Sequence, residues 1–327
     1  MTVKVFVAGT GSYVPEKVLT NFDLEKFLDT NDEWIVTRTG ISERHIAADD
    51  ENTSDLAVNA ARNALEAAGW NAEDLELIVV GTITGDYPWP ATSCIVQHKL
   101  GASNAAAYDV SAACSGFIYA LSNAVAQIES GKVKKALVIG AEVLSRAVDW
   151  EDRNTCVLFG DGAGAVLLEG REGDRGVLST HLHSDGSYVN LLYQPGFGSV
   201  HPPSQDVIDH RLGFLKMEGN EVFKVAVRML TDVAKEAMSA NGVEREQIDL
   251  FIPHQANRRI LEATAKRLKF KDEQVYINVN RFGNTSAASI PIALDEANRN
   301  GKIKENDLIL LDAFGGGFTW ASALIRW

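Results

Sequence analysis

Cysteine is scarce: the chain of 327 residues holds three, Cys94, Cys114 and Cys156. Their spacings of 20 and 42 residues match neither a Cys-x-x-Cys metal site nor a disulfide framework. Free thiols suit a reducing compartment, so a cytoplasmic protein without a metal centre is expected. Basic charge is also short. Lys and Arg number 31 against 44 Asp and Glu, a net charge of −13. Such a surface repels nucleic acid and anionic membrane as a whole, and an anionic partner needs a local basic patch. No apolar run reaches the roughly 18 residues of a membrane span. The first nine residues, MTVKVFVAG, lack the basic, apolar and small-residue segments of a secretory leader and read as a short strand. What remains is an ordinary globular composition, 46% hydrophobic and 23% charged, which excludes wholesale disorder.

Short β-rich runs alternate with longer helical ones. LELIVVG (75–81), KALVIG (135–140) and AGAVLL (163–168) read as strands buried on both faces. DLAVNAARNALEAA (55–68) reads as a helix with Ser54 as N-cap and Gly69 as its stop. The alternation predicts an α/β fold. The order of elements repeats. The helix over 55–68, a strand, a Cys114-bearing turn, a strand and GAGAVLLEG are echoed by the helix over 221–241, strand 248–252, FGNTSAAS, ENDLILLDAFGG and WASALIRW. Two duplicated halves, 1–172 and 173–327, are therefore expected, with the active site between them. The Pro- and Gly-containing stretch 191–211 is expected as a surface loop.

Three residues could carry chemistry. Cys114, in SAACSGF, stands between a strand-like and a helix-like run. The N-terminus of a helix there would favour thiolate and lower its pKa; an inert buried cysteine is the alternative. His254 follows a strand in FIPHQAN, and Asn284 sits in FGNTS. Alone, a histidine of this kind is more often structural than catalytic, and an asparagine in a Gly-Asn turn usually serves the turn. The internal repeat brings all three to one junction. A Cys-His-Asn set can serve a thiol hydrolase or an acyl transferase. The FGGGFT run (314–319) follows a strand, and its glycines leave backbone N–H groups free to face a ligand. It is neither a GxGxxG nor a P-loop, so dinucleotide binding is not supported.

Taken together, DVSAACSGF, PHQANRRI, FGNTSAASIP, the terminal GGGFTWASALIRW and the N-terminal NDEWIVTRTGISERH resemble the β-ketoacyl-[acyl-carrier-protein] synthase III family, thiolase-superfamily condensing enzymes, along nearly the whole chain. The resemblance implies a thiolase-like five-layered αβαβα fold, a homodimer and no permanently bound cofactor. It implies that Cys114 takes an acyl group from acyl-CoA, with the N–H groups of Cys114 and Gly316 as oxyanion hole. His254 and Asn284 would hold the thioester carbonyl of malonyl-carrier protein as it loses CO2, since two donors stabilise the enolate. Thr30, Trp34, Arg38 and Arg153 would grip the nucleotide end of CoA. Gly219, Phe223, Ala256 and Asn257 would line the pantetheine channel. Trp89, reaching across a dimer, and Met217 would bound the acyl pocket and favour a short primer such as acetyl. The acyl carrier protein, an acidic partner, would dock at Gln255, Ala256, Asn257, Arg258 and Arg259. That segment opens the basic run RRILEATAKRLKFK, with six basic residues against Glu262. Rival readings are a sister enzyme priming polyketide or specialised lipid synthesis, a thiol hydrolase, and an inactive binding homologue. The hydrolase needs no pantetheine channel, and the intact Cys114, His254 and Asn284 set argues against an inactive homologue.

Overall fold

The computed structural model describes residues 3–327. Nine strands build its two main sheets. They are β1 (Val3–Tyr13), β2 (Leu77–Gly81), β3 (Ala106–Val110), β4 (Lys135–Glu142), β5 (Gly162–Glu172), β6 (Gly176–Ser184), β7 (Leu250–Pro253), β8 (Leu308–Gly315) and β9 (Thr319–Arg326). The first sheet has the order β1-β5-β4-β2-β3 and the second β6-β9-β8-β7. A parallel bridge from Phe251 to Val275 extends the second sheet where β3 extends the first. In the first sheet β2 pairs in parallel with both β3 and β4, and β5 pairs antiparallel with β4 and β1; in the second β7 pairs in parallel with β8, and β9 pairs antiparallel with β8 and β6. The same order in both sheets is the topological trace of a duplication.

Seven helices matter for the site: α1 (Asp32–Thr39), α2 (Thr53–Ala68), α3 (Thr92–Leu100), α4 (Gly116–Glu129), α5 (Gly219–Ala240), α6 (Arg258–Leu268) and α7 (Ser289–Arg299). Strand residues alternate faces, and both faces are buried. Leu77 and Val79 of β2, with Ile309 and Leu311 of β8, face a central core shared with Phe117, Ile118 and Leu121 of α4 and Ile290 and Leu294 of α7. The alternate residues Ile78 and Val80 face α2. Leu308 and Leu310 face the layer containing α5 and α6. The layers thus run α-β-α-β-α, with α4 and α7 in the middle.

Several boundaries differ from the sequence expectation. The helix read over 55–68 starts two residues earlier. Its N-cap is Asn52, paired with Asp55 in a capping box, and Ser54 instead donates its hydroxyl to Asp86 at 2.6 Å. Both Asn and Ser suit an N-cap, and the tertiary partner of Ser54 decides between them. The N-terminal strand is longer than read, to Tyr13, because β5 pairs with it along its length; its first two residues in the sequence reading lie outside the described residues. The stretch 191–211 carries a two-residue strand at Leu192–Tyr193 and a short helix, Gln205–Asp209.

Candidate active site

β3 runs into a 3-10 turn, Ala113–Ser115, and the chain then enters α4. Ala113 has φ +45, in the left-handed region, which sharpens the turn and lifts Cys114 off the strand. The second half repeats the device: Ser286 has φ +49, followed by the turn Ser286–Ala288 and α7. The two turns lie back to back, since a methyl on Gly116 would stand 3.4 Å from the Ala287 Cβ. Gly315 passes so close that a Cβ there would fall 2.5 Å from the Cys114 backbone nitrogen, so only glycine fits.

Cys114, His254 and Asn284 are all buried and all line one cavity of about 960 Å3, together with Ser286, Phe314 and Gly316. His254 follows β7 directly, and its N–H donates to the Asp312 carbonyl at 2.7 Å, which extends the ladder and fixes the ring. Its Nδ1 meets Ser289 Oγ at 2.6 Å. Ser289 Oγ also accepts the Gln255 N–H at 3.2 Å, and its hydroxyl proton is free to point at Nδ1. In that arrangement Nε2 carries the ring proton. Burial pushes the imidazole down to about 3, so this donor is neutral at physiological pH. Asn284 is oriented by the same kind of accounting. Its Oδ1 accepts the Ser286 N–H at 2.9 Å, so its amide hydrogens are left as donors.

The thiol departs from the sequence expectation. The helix N-terminus favours thiolate, but burial pushes Cys114 up to about 12, and the nearby Glu142 carboxyl adds to this. Desolvation wins because no cation among the described residues acts on the sulfur. The resting sulfur is therefore a thiol.

The other expected residues divide. Trp34, Arg38, Gly219, Phe223, Ala256, Asn257, Arg259 and Met217 line the cavity. The Arg38 and Arg153 guanidinium groups lie 4.5 and 5.3 Å from the centre of the Trp34 ring. Arg153 also pairs with Asp29 at 3.0 Å. Thr30 is outside the cavity lining, and its hydroxyl has no hydrogen-bond partner among the described residues. Gln255, expected at the carrier-protein contact, is 1% exposed. Its amide bridges the Pro253 and Tyr276 carbonyls and accepts the Asn278 N–H, so it braces the His254 loop and cannot meet a docking protein. Arg258 and Arg259 are exposed, as are Lys266, Arg267, Lys269 and Lys271. Trp89 is 84% exposed and does not line its own chain's cavity. Sequence reading missed Ser286, Ser289 and Glu142. A Glu at the end of the apolar run KALVIGAE was the available signal for the last, because a charge there must be satisfied by something out of sequence. Among the described residues no helix is long and apolar enough to cross a membrane, and no group of three or more His, Cys, Asp or Glu is placed to hold a metal ion.

A doubled α/β architecture of this layer order, with a buried thiol in the cavity at its seam, defines a thiolase-fold condensing enzyme of the acyltransferase class. Residues 108–186 match the family model described as 3-oxoacyl-[acyl-carrier-protein (ACP)] synthase III, and residues 238–327 match that for its C-terminal part. The chain is 56% identical over 326 residues to the β-ketoacyl-[acyl-carrier-protein] synthase III of Xanthomonas euvesicatoria, covering 98% of each. Its structure is similar to the 3-oxoacyl-[acyl-carrier-protein] synthase III of Aquifex aeolicus, with TM-score 0.92, 50% identity and coverage of 99% and 100%. It is also similar to the priming β-ketosynthase of the R1128 polyketide pathway, with TM-score 0.92, 35% identity and coverage of 100% and 97%. The chain belongs to the β-ketoacyl-[acyl-carrier-protein] synthase III family.

Proposed function

We propose that the protein condenses a short acyl-CoA, acetyl-CoA foremost, with malonyl-acyl carrier protein to give 3-oxoacyl-carrier protein, CoA and CO2, the initiating step of type II fatty acid synthesis. Cys114 takes the acyl group, and the N–H groups of Cys114 and Gly316 hold the thioester oxygen. The Gly316 N–H has no hydrogen-bond partner among the described residues, which leaves it available. Malonyl-carrier protein then enters the same cavity. His254 Nε2–H and the Asn284 amide donate to its thioester oxygen, and the enolate released by decarboxylation attacks the acyl group on Cys114. The two half-reactions share one site, so the kinetics are ping-pong. The observation that carries this reading is that a thiol and two neutral, pre-oriented donors share one buried cavity.

The stacked Trp34, Arg38 and Arg153 group supports a site for the CoA nucleotide, because guanidinium and indole faces suit purine and phosphate. The exposed basic face of α6 supports docking of an acidic carrier protein beside His254. β3 is paired on one side only, at the edge of its sheet, and the exposed Trp89 precedes it in the chain. This supports a homodimer in which Trp89 bounds the partner's acyl pocket. The halves divide at 172/173, in the short link from β5 to β6. The protein works in the cytoplasm and keeps no resident cofactor.

The test is intact-mass spectrometry after mixing with a panel of acyl-CoAs. Mass gain by the acyl group, absent in Cys114→Ser, is expected, with the largest yield from short chains. An unmodified wild type, or a modified Cys114→Ser, refutes the reading. One observation favours a second reading, priming of a polyketide pathway: the 35% identity to the R1128 enzyme. A preference for longer or branched primers in the same panel would select it.

A further inference from the structure

Arg44 lies on the short strand Glu43–Ile46, which pairs with Lys17–Thr20, and it is fully buried. A charge so placed is costly unless hydrogen bonds replace its water. Its three hydrogen bonds all go to neutral acceptors. Nη1 donates to the Leu19 carbonyl at 3.1 Å and to Asn21 Oδ1 at 2.9 Å, and Nη2 donates to the Val157 carbonyl at 2.7 Å. Burial pushes the guanidinium down to about 10, so it stays charged at physiological pH. Each side of this fork leads to a wall of the cavity. Val157, Leu158 and Phe159 line it directly. The Asn284 N–H donates to the Leu158 carbonyl at 2.8 Å, and the Gly160 N–H donates to the Asn284 carbonyl at 3.1 Å, so Phe159 and Asn284 form a parallel bridge. The Arg44 Cβ packs against that bridge: a methyl on Gly160 or on Gly283 would stand 3.0 or 3.2 Å from it. On the other side Asn21, also fully buried, carries the contact onward. Its Nδ2 donates to Asp32 Oδ1 and to the Ile41 carbonyl, both at 2.8 Å. Asp32 is the first residue of α1, and Ile41 follows its C-terminal Gly40. Asn21 thereby holds both ends of the helix that bears Trp34 and Arg38.

We propose that Arg44 is a positioning residue for both half-reactions: its bond to Val157 fixes the segment that aims Asn284 at the thioester oxygen, and its bond to Asn21 fixes α1 against the CoA nucleotide. The inference rests on the roles proposed above for Asn284 and for α1. Arg44 is not among the cavity-lining residues and acts only through the groups it holds. The chemistry of the side chain suits the task. A guanidinium is a planar fork whose nitrogens point in fixed, different directions, so one side chain can be bonded to two walls at once; an ammonium has no such fork. Each wall must be held closely, because a misplacement of about 1 Å can cost about 100-fold in rate. The turn that carries Cys114 is placed by other means. Gly315 passes against its backbone, and the turn shares none of the bonds made by Arg44 or Asn21. Loss of the fork therefore loosens the grip on CoA and the aim of Asn284 while sparing the thiol.

The test measures loading of Cys114 over a range of acetyl-CoA concentrations, then discharge of the acyl group by malonyl-carrier protein, both by intact mass, with thermal melting to confirm that each variant is folded. Arg44→Lys keeps the charge and loses the fork. It is expected to raise the acetyl-CoA concentration for half-maximal loading about fivefold and to slow discharge about tenfold, with the maximal loading rate within about twofold of wild type. Asn21→Ala leaves the Val157 bond in place and frees α1 alone. It is expected to raise the half-maximal concentration to a similar degree, with discharge within about twofold of wild type. A merely structural Arg44 would lower the melting temperature and leave both readings unchanged below it. A folded Arg44→Lys in which either reading stays within about twofold of wild type overturns the proposal, as does one that slows maximal loading as much as discharge. Where Arg44→Lys does not fold, Asn21→Ala decides: an unchanged half-maximal concentration, or a discharge slowed along with it, overturns the fork. A wild type that is never acylated, or an Asn284→Ala variant that discharges normally, overturns the roles on which the proposal rests. That result differs from a working enzyme with indifferent Arg44 and Asn21 variants.

Discussion

Replacing Asn284 with alanine separates the two half-reactions. The side chain makes one protein hydrogen bond, from the Ser286 N–H to its Oδ1 at 2.9 Å, and its amide group is turned to the cavity. Alanine removes both. The orphaned, buried Ser286 N–H costs about 1–3 kcal/mol of stability, which lowers the melting temperature without unfolding a chain of this size. The lost donor costs about 2.7–4 kcal/mol in stabilising the enolate, a 100- to 1000-fold fall in the malonyl-dependent step. Acylation from acyl-CoA uses backbone donors and is expected to stay within a few-fold of wild type. The assay is two-stage. Intact mass first records how fast Cys114 gains the acyl group; malonyl-carrier protein is then added, and loss of that mass is timed. The expected variant loads at a near-normal rate and discharges slowly. Equal slowing of both stages would show that Asn284 shapes the cavity as a whole, and unchanged discharge would show that it donates to nothing in the transition state.

Gly315→Ala places a methyl 2.5 Å from the Cys114 nitrogen, where a backbone atom cannot yield. A loss of about 1–3 kcal/mol in denaturant unfolding is expected, together with slowed acylation, because the turn bearing the thiol must shift. His254 shapes the acid limb of stability. The unfolded imidazole takes its proton near 6.5 and the folded one at about 3, so acid drives unfolding through this group as pH falls from 6.5 to about 3. In urea titrations over that window the wild type is expected to lose more stability than His254→Asn, and equal losses would contradict the buried neutral ring. Lys266→Glu, on the exposed face of α6, is expected to raise the KM for malonyl-carrier protein several-fold and to flatten its salt dependence while leaving acylation from acyl-CoA unchanged; an unaltered KM would remove α6 from the docking surface.

The alternation of strand and helix, the doubled order of elements and the turn setting of Cys114 and Asn284 were legible in the sequence. The reason is that side-chain periodicity and small-residue turns are local properties, and the two sheets of identical order carry them into three dimensions. Local pattern did not settle finer choices. Asn52 rather than Ser54 caps α2 because Asp86, 32 residues away from Ser54, claims the serine. Gln255 sits in a run that reads as surface, yet it turns inward to close the carbonyls of Pro253 and Tyr276.

Composition, periodicity and repetition by themselves determined that this is a duplicated α/β chain with a thiol, an imidazole and a carboxamide aimed at its seam. Tertiary structure alone decided the state of those groups. Desolvation depends on what closes over an atom, so burial rather than the helix N-terminus sets the proton on Cys114. The hydroxyl that reaches the buried Glu142 from the turn before α7, that of Ser286, belongs to a residue 144 positions away from that carboxylate, a separation at which sequence carries no pairing signal and only packing does.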